Sequence, residues 1–390
     1  MISVEEALAH LFDLLAPLPV EEVALAEAAN RVLARPVTAR RDQPPFAASA
    51  MDGYAMRAAD AQPGARLRVV GEAAAGRGAS SRVEPGVAMR IFTGAPLPPG
   101  ADRVVIQEDV CREGDRIVLG DRLDKGPHVR PAGADFTAGH TLSAPRRLRP
   151  ADLALAAAMN VARLPVHRRP DVALIATGDE LVMPGEEPGP DQIIASNAFG
   201  LRAMVEAEGG IARLLPIARD TEASLETVLG LAEGADLIVT IGGASVGDYD
   251  LVGPVAARLG MDQAFYKVAM RPGKPLMAGR LGKAAMLGLP GNPVSALICG
   301  HVFLLPVLRA LQGLPAAAAP RRRGLLGCDL PENGPREHYM RARLSPEGLV
   351  PFDSQDSALL TVLAEAQALL IRPAGDGPRT AGESVEYLPL

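Results

Sequence analysis

Between residues 169 and 313, short apolar runs and helical patterns take turns, and few folds accommodate such a chain. Segments 172–177, 211–217, 237–241, 265–269 and 284–287 have the length and near-continuous apolar character of strands buried on both faces. Segments 197–208, 221–233, 251–259 and 294–311 carry helical patterns between or after them. The alternation predicts an α/β domain with a mostly parallel sheet covered by helices on both faces. In such sheets ligands bind beyond the carboxyl ends of the strands, so the turn after each strand is where chemistry is to be sought.

The flanking segments differ in texture. Ser3-Val4-Glu5-Glu6 has the spacing of a capping box, and Leu8, Leu11, Phe12 and Leu15 follow on one face, which predicts an opening amphipathic helix. From 41 to 139 short β-like runs alternate with Gly/Pro turns, as in a small β-rich domain. A helical pattern returns at 150–160, with Pro150 at its start and Asn160 at its end. Residues 314–320 read as a linker, and the remainder as a small β-domain.

Composition closes off several function classes. The chain has 40 Lys and Arg against 46 Asp and Glu, a net charge of −6, and no basic block longer than Arg321-Arg322-Arg323. Nucleic acid is therefore not an expected partner, although a small anion could find a local basic pocket. Cys111, Cys299 and Cys328 are too far apart for a CxxC pair, and the six histidines lack HExxH spacing, so no zinc site is expected. The start carries Glu5, Glu6 and Asp13 where a signal peptide would be basic and then apolar. The longest stretch free of Asp, Glu, Lys and Arg, 284–308, is broken by prolines and fits a buried helix better than a membrane span. A soluble, cytoplasmic protein with no membrane partner is the expectation.

The turns carry the candidates. Thr177-Gly178-Asp179-Glu180 follows the first apolar strand, and carboxylates there suit metal or acid–base work, or simply cap the next element. Gly242, Gly243 and Gly247 follow the 237–241 strand, where bare backbone N–H groups could cradle a phosphate; Asp248 and Asp250 next to them add candidate cation ligands. Gly243–Gly247 also reads GxSxG around Ser245. A nucleophile elbow turns straight into helix, however, whereas Asp248-Tyr249-Asp250 intervenes here and no histidine motif supports a serine hydrolase. Lys267, Arg271 and Lys274 surround Met270-Arg271-Pro272-Gly273-Lys274-Pro275, a stiffened cationic loop that suits an oxyanion better than scattered surface charge would. Leu289-Pro290-Gly291-Asn292-Pro293 reads structurally, with Asn292 as N-cap and Pro293 opening the helix. Ser49–Ala55 and Phe92–Pro96 read by themselves as turns.

Taken together, SAMDGYA, IFTGAP, TGDE, GGASVGDYD, MRPGKP and LPGNP, in this order, resemble the molybdopterin molybdenumtransferase family, the MoeA type and the E domain of gephyrin and its plant relatives. The resemblance covers essentially the whole chain. It implies an elongated homodimer with four domains: a discontinuous helix-containing domain of 1–40 plus 140–168, a β-rich domain of 41–139, a MogA/MoaB-like three-layer α/β domain of 169–316 with a mostly parallel sheet, and a C-terminal small β-barrel of 320–390. It also implies insertion of molybdenum from molybdate into adenylylated molybdopterin with release of AMP, assisted by a divalent cation, usually Mg²⁺. Exchange with an upstream adenylyltransferase and downstream cofactor acceptors belongs to the same picture.

Carried over residue by residue, the resemblance assigns catalytic roles to Asp52, Thr93, Asp135, Glu180, Asp220 and Asp250. Asp52, Glu180, Asp220, Asp250 and Asp248 become candidate metal ligands. Gly242, Gly243, Ser245, Gly247, Lys267, Arg271, Lys274, Pro290, Pro293 and Ser357 become substrate-binding, the last as part of Gln355-Asp356-Ser357 where relatives often have Gln-Gly-Ser. Three departures stand out: Phe46-Ala47-Ala48-Ser49 replaces a frequent Phe-Asp-Asn-Ser, Ala134 replaces an acidic neighbour of Asp135, and Arg271 replaces a common Lys with a planar fork. Carboxylates to hold a cation against a breaking phosphoanhydride, and fixed positive charge for a dianion, are what this reaction needs. The rivals are an adenylyltransferase-type activity, for which the α/β domain alone would suffice, and a non-catalytic scaffold or binding role.

Overall fold

The computed structural model describes residues 1–243 and 251–390. Its centre is a six-stranded sheet in the order Ile211–Leu214, Asp171–Ala176, Leu237–Ile241, Ala284–Leu289, Met277–Leu281, Asp262–Tyr266. The first four strands are parallel. The last two are antiparallel additions, so the sheet is mostly parallel. Helices Asn197–Ala207, Glu222–Leu231 and Val252–Arg258 cover its faces. The hairpin strand Met277–Leu281 is absent from the sequence reading, because Gly279 and Arg280 interrupt its apolar run. The expected strand at 265–269 lies earlier, at Asp262–Tyr266, since the positive φ of Lys267 (71°) ends it.

The apolar segment after Pro293 stays helical to Leu311, with a π turn over Gly300–Leu304 between two α segments. By length and hydropathy this 19-residue run could cross a membrane, but 78% of it is buried inside the fold, as the core helix of the α/β domain.

Antiparallel pairings bring the chain's early part back to residues 146–167. Val20–Ala24 pairs with Arg163–His167, and Val32–Leu33 with Arg146–Arg147. The opening helix, Val4–Asp13, lies elsewhere. Val4, Ala7, Leu8 and Leu11 are buried in the same core as Val172, Leu174 and Phe265, while Ile2 bridges Val268. The sequence reading grouped this helix with residues up to 40. Its apolar stripe is covered by the α/β core instead.

The β-rich segment forms a six-stranded sheet, Arg103–Ile106, Gly53–Met56, Val87–Ile91, Arg66–Ala73, Arg116–Leu119 and Val110–Glu113, with a separate small core on each face. In the C-terminal segment Arg322–Leu325, Ser384–Pro389, Ala368–Arg372, Glu337–Ser345 and Gly348–Pro351 pair in turn, and a Leu326–Leu349 bridge closes the sheet on itself. One further strand joins its edge: Met270–Arg271, from the cationic loop of the α/β domain, pairs in parallel with Glu337–Ser345. That loop is therefore stitched to two domains at once.

Candidate active site

Beyond the carboxyl ends of the parallel strands lie two adjoining cavities. The larger, about 670 Å³, is lined by the turn Thr177-Gly178, by Glu180 and Asp220, and by Gly242 and Gly243. The smaller, about 420 Å³, is lined by Arg271, Lys274, Ser295, Arg336 and Ser357 among others. Pro275, Pro290 and Asn292 belong to both walls, so an acidic compartment and a cationic one meet across three residues.

In the acidic compartment the first strand ends at Ala176 and the chain turns sharply. Gly178 has φ 147°, and a Cβ there would collide with the carboxylate of Glu180, which folds back over the glycine. Asp220 stands on the neighbouring turn: its N–H donates to Asp179 Oδ1 (3.1 Å), and its Oδ2 accepts from the Asp179 N–H (3.4 Å). Gly243, with φ 61°, sits where a Cβ would strike Val252. The Gly242 N–H is not available to a phosphate, because it donates to the Leu289 carbonyl at 3.0 Å and extends the parallel ladder past Ile241. Ser245, Gly247, Asp248 and Asp250 lie outside the described residues.

The cationic compartment draws on both domains that share the loop. Arg336 of the C-terminal domain reaches Met270 O at 3.5 Å, and His338 faces Arg271 across the parallel ladder. Burial, helped by Arg271, Arg336, Arg372 and Arg341, holds the His338 imidazole down at about 4. At neutral pH it is an uncharged, buried neighbour of these arginines. Asn292 occupies the position before the helix at Pro293 but makes no capping bond with its side chain. The Val294 N–H is instead taken by the Ser357 carbonyl at 3.0 Å, which docks the C-terminal domain on the helix start and leaves the Asn292 amide facing both cavities.

Not every candidate is brought to this crevice. Lys267 lines neither cavity; its ammonium lies 5.0 Å from the centre of the Tyr266 ring. Asp52, Thr93 and Asp135 also line neither. Asp52 and Thr93 instead form a pair of their own, the Asp52 carboxylate accepting from the Thr93 N–H (2.7 Å) and hydroxyl (2.8 Å). Those two donors, with the more distant charge of Arg90, hold the Asp52 carboxyl below the usual range. Asp135 stands exposed on a turn whose N–H donates to the Gln43 carbonyl. Among the described residues no group of three His, Cys, Asp or Glu side chains is placed to hold a metal ion; of the proposed metal set only Glu180 and Asp220 line the crevice.

Sequence reasoning missed Arg336 and Ser295. Ser295 lies just past the Leu289–Pro293 motif, in the first turn of the helix, where nothing in the sequence marks it. Arg336 is one arginine among many in its domain, and only the shared strand brings it to the cavity.

Comparison with known proteins agrees with this architecture segment by segment. Residues 2–160 match the family described as MoeA N-terminal region (domain I and II), 173–310 the probable molybdopterin binding domain, and 323–390 the MoeA C-terminal region (domain IV). The chain is 37% identical to the molybdopterin molybdenumtransferase of Nostoc sp., across 100% of this chain and 94% of that protein. The Bacillus subtilis protein of the same name is 31% identical, over 99% and 94%. Among solved structures, the molybdopterin biosynthesis moeA protein of Pyrococcus horikoshii superposes with a TM-score of 0.85 at 27% identity, covering 100% of both chains. With relatives above 30% identity along its whole length, and each of its three segments matched in order, the chain belongs to the molybdopterin molybdenumtransferase family.

Proposed function

We propose that this protein inserts molybdenum from molybdate into adenylylated molybdopterin with release of AMP, and that it works as a homodimer. One observation carries the reading: the acidic and cationic compartments share the wall of Pro275, Pro290 and Asn292. A nucleotide-bearing substrate and a dianion need opposite surroundings and yet must meet. A cavity of about 670 Å³ is of the size that takes a sizeable small molecule. The neighbouring Arg271, Lys274 and Arg336 supply fixed positive charge for an oxyanion.

Each side then has a defined task. Lys274, on a turn set by Pro272 and Pro275, presents a preplaced ammonium, while Arg271 and Arg336 offer planar forks. Glu180 and Asp220 face the end of the substrate that carries the phosphoanhydride. Two carboxylates suit Mg²⁺, which takes one or two together with phosphate oxygens and waters, and they are the described residues that would hold it. Bound there, the cation would spread the charge that develops as the anhydride breaks. Asp52 and Thr93 form a preset acidic pair outside this crevice, and a second copy of the chain is the proposed means of bringing such a pair to it. Arg336 and Ser357 in the cationic wall favour this reaction over an adenylyltransferase step needing the α/β domain alone. A pure scaffold has no use for a crevice whose acidic and cationic walls are kept apart in this way.

Reconstitution tests the reading. Purified protein, adenylylated molybdopterin, molybdate and Mg²⁺ should yield AMP and active cofactor together, and AMP release that ignores molybdate while forming no cofactor would sink it. Lys274→Ala should raise the half-saturating molybdate concentration by about 10–150-fold, the value of one charge-assisted contact, and leave binding of the adenylylated pterin unchanged. Glu180→Gln should do the reverse.

A further inference from the structure

We infer that Arg219 is a positioning residue, the brace that fixes the Glu180 turn and the Asp220 turn relative to one another. A single guanidinium nitrogen of Arg219 donates to three main-chain carbonyls, Gly178 O (3.3 Å), Asp179 O (3.0 Å) and Leu181 O (3.0 Å). These carbonyls surround Glu180 in the chain, so the turn carrying that carboxylate is wrapped around one cation. The cation belongs to the residue next to Asp220, so both acidic side chains of the crevice hang on the same anchor.

The rest of the local network converges on it. The Arg219 N–H donates to Ser224 Oγ at 2.9 Å, tying the brace to the start of the helix Glu222–Leu231. Below it, the Gly178 N–H donates to Ala218 O (3.0 Å) and the Ala218 N–H to Ala176 O (2.9 Å), which zips the two turns to the sheet. Asp179 closes the frame through its exchange with Asp220. Asp179 therefore spends its carboxylate on a neighbouring N–H, although it stands beside Glu180 in the same motif. Without the arginine, three carbonyls would have to turn to water, and the two turns would lose the side chain that joins them.

The inference rests on the molybdenum-insertion reading for its catalytic consequence, and the test separates the two. Arg219→Gln and Arg219→Lys are compared with the wild type and with Arg202→Gln, which removes an exposed pair to Glu206 on a helix. Hydrogen exchange of the amides at 178–181 should accelerate by roughly tenfold or more in Arg219→Gln and stay unchanged in Arg202→Gln. In the reconstituted reaction Arg219→Gln should lower kcat by roughly 10–100-fold, the scale of a displaced catalytic group, with KM for the adenylylated pterin within about threefold. Arg219→Lys should recover part of both, since an ammonium also carries three donors. Unchanged exchange at 178–181 in Arg219→Gln overturns the brace whatever the activity. A loosened turn with wild-type kcat overturns its positioning role. A wild-type protein that exchanges as described but releases no AMP refutes the function and leaves the brace standing.

Discussion

Asp52 shows how much of a functional group is set by its immediate partners. Its carboxylate is only half-buried, yet two donors from Thr93 keep it ionised to lower pH than an ordinary aspartate. A depressed carboxyl keeps its charge as pH falls until the depressed value is passed, so an acid limb controlled by Asp52 lies below the usual aspartate range. Thr93→Val removes the hydroxyl and spares the N–H; the acid limb of the pH–rate profile should move to higher pH without disappearing. An unmoved limb would show that another group controls it. Asp52→Asn should keep the fold and cut AMP release on the order of 10²–10⁴-fold, and normal release would return Asp52 to a plain turn residue. At this scale the sequence points to candidate residues and is silent on their partners. Asp52 and Thr93 are 41 positions apart, and nothing in either turn announces their bond. The loss of the Gly242 N–H to Leu289 was equally hidden, because it depends on where the parallel ladder stops.

Among elements, the opening helix was legible and its address was not. Capping box and apolar stripe are both present, with Ser3 and Glu6 bonded reciprocally. Its apolar face, however, inserts Leu8 and Leu11 into the α/β core, with Leu11 fully buried. Leu11→Ala should destabilise that domain by about 2–5 kcal/mol, as removal of a buried leucine does when the site cannot collapse. Denaturant unfolding would check it, a loss below about 0.5 kcal/mol placing the helix outside the core. The central strands Asp171–Ala176, Leu237–Ile241 and Ala284–Leu289 are readable because burial on both faces makes them continuous apolar runs. The hairpin strand Met277–Leu281 was missed, since a glycine and an arginine in five residues erase that signal. The strand Met270–Arg271 could not be read at all. Two residues carry no period, and its partner lies in another domain.

At the scale of the whole molecule, two histidines and the separation of Asp52 from the crevice decide what to measure. Burial holds His301 and His338 down at about 4, Arg309 assisting at the first and the arginine cluster at the second. The unfolded chain protonates these imidazoles at the ordinary 6.5, before the folded one does. Their contribution to stability is therefore complete above pH 6.5 and is lost as pH falls toward 4. The melting temperature should fall between pH 7 and 5, and His301→Gln with His338→Gln should flatten that slope; an equally steep fall in the double variant would exclude both. The separation concerns the site itself, since Asp52 and Thr93 line neither cavity. In a twofold dimer whose sites each take the Asp52 pair from one subunit and the crevice from the other, an Asp52→Asn chain and a Glu180→Gln chain have complementary defects. A mixed dimer then holds one site with both lesions and one with neither. Random re-association of equal amounts makes half the dimers mixed, so activity should return to about a quarter of the wild-type level although each variant alone is nearly inactive. If each subunit instead completes its own site, every site in the mixture keeps one lesion and mixing restores nothing. Light scattering of the same samples checks the premise, a monomer at micromolar concentration removing the dimer on which this arithmetic depends.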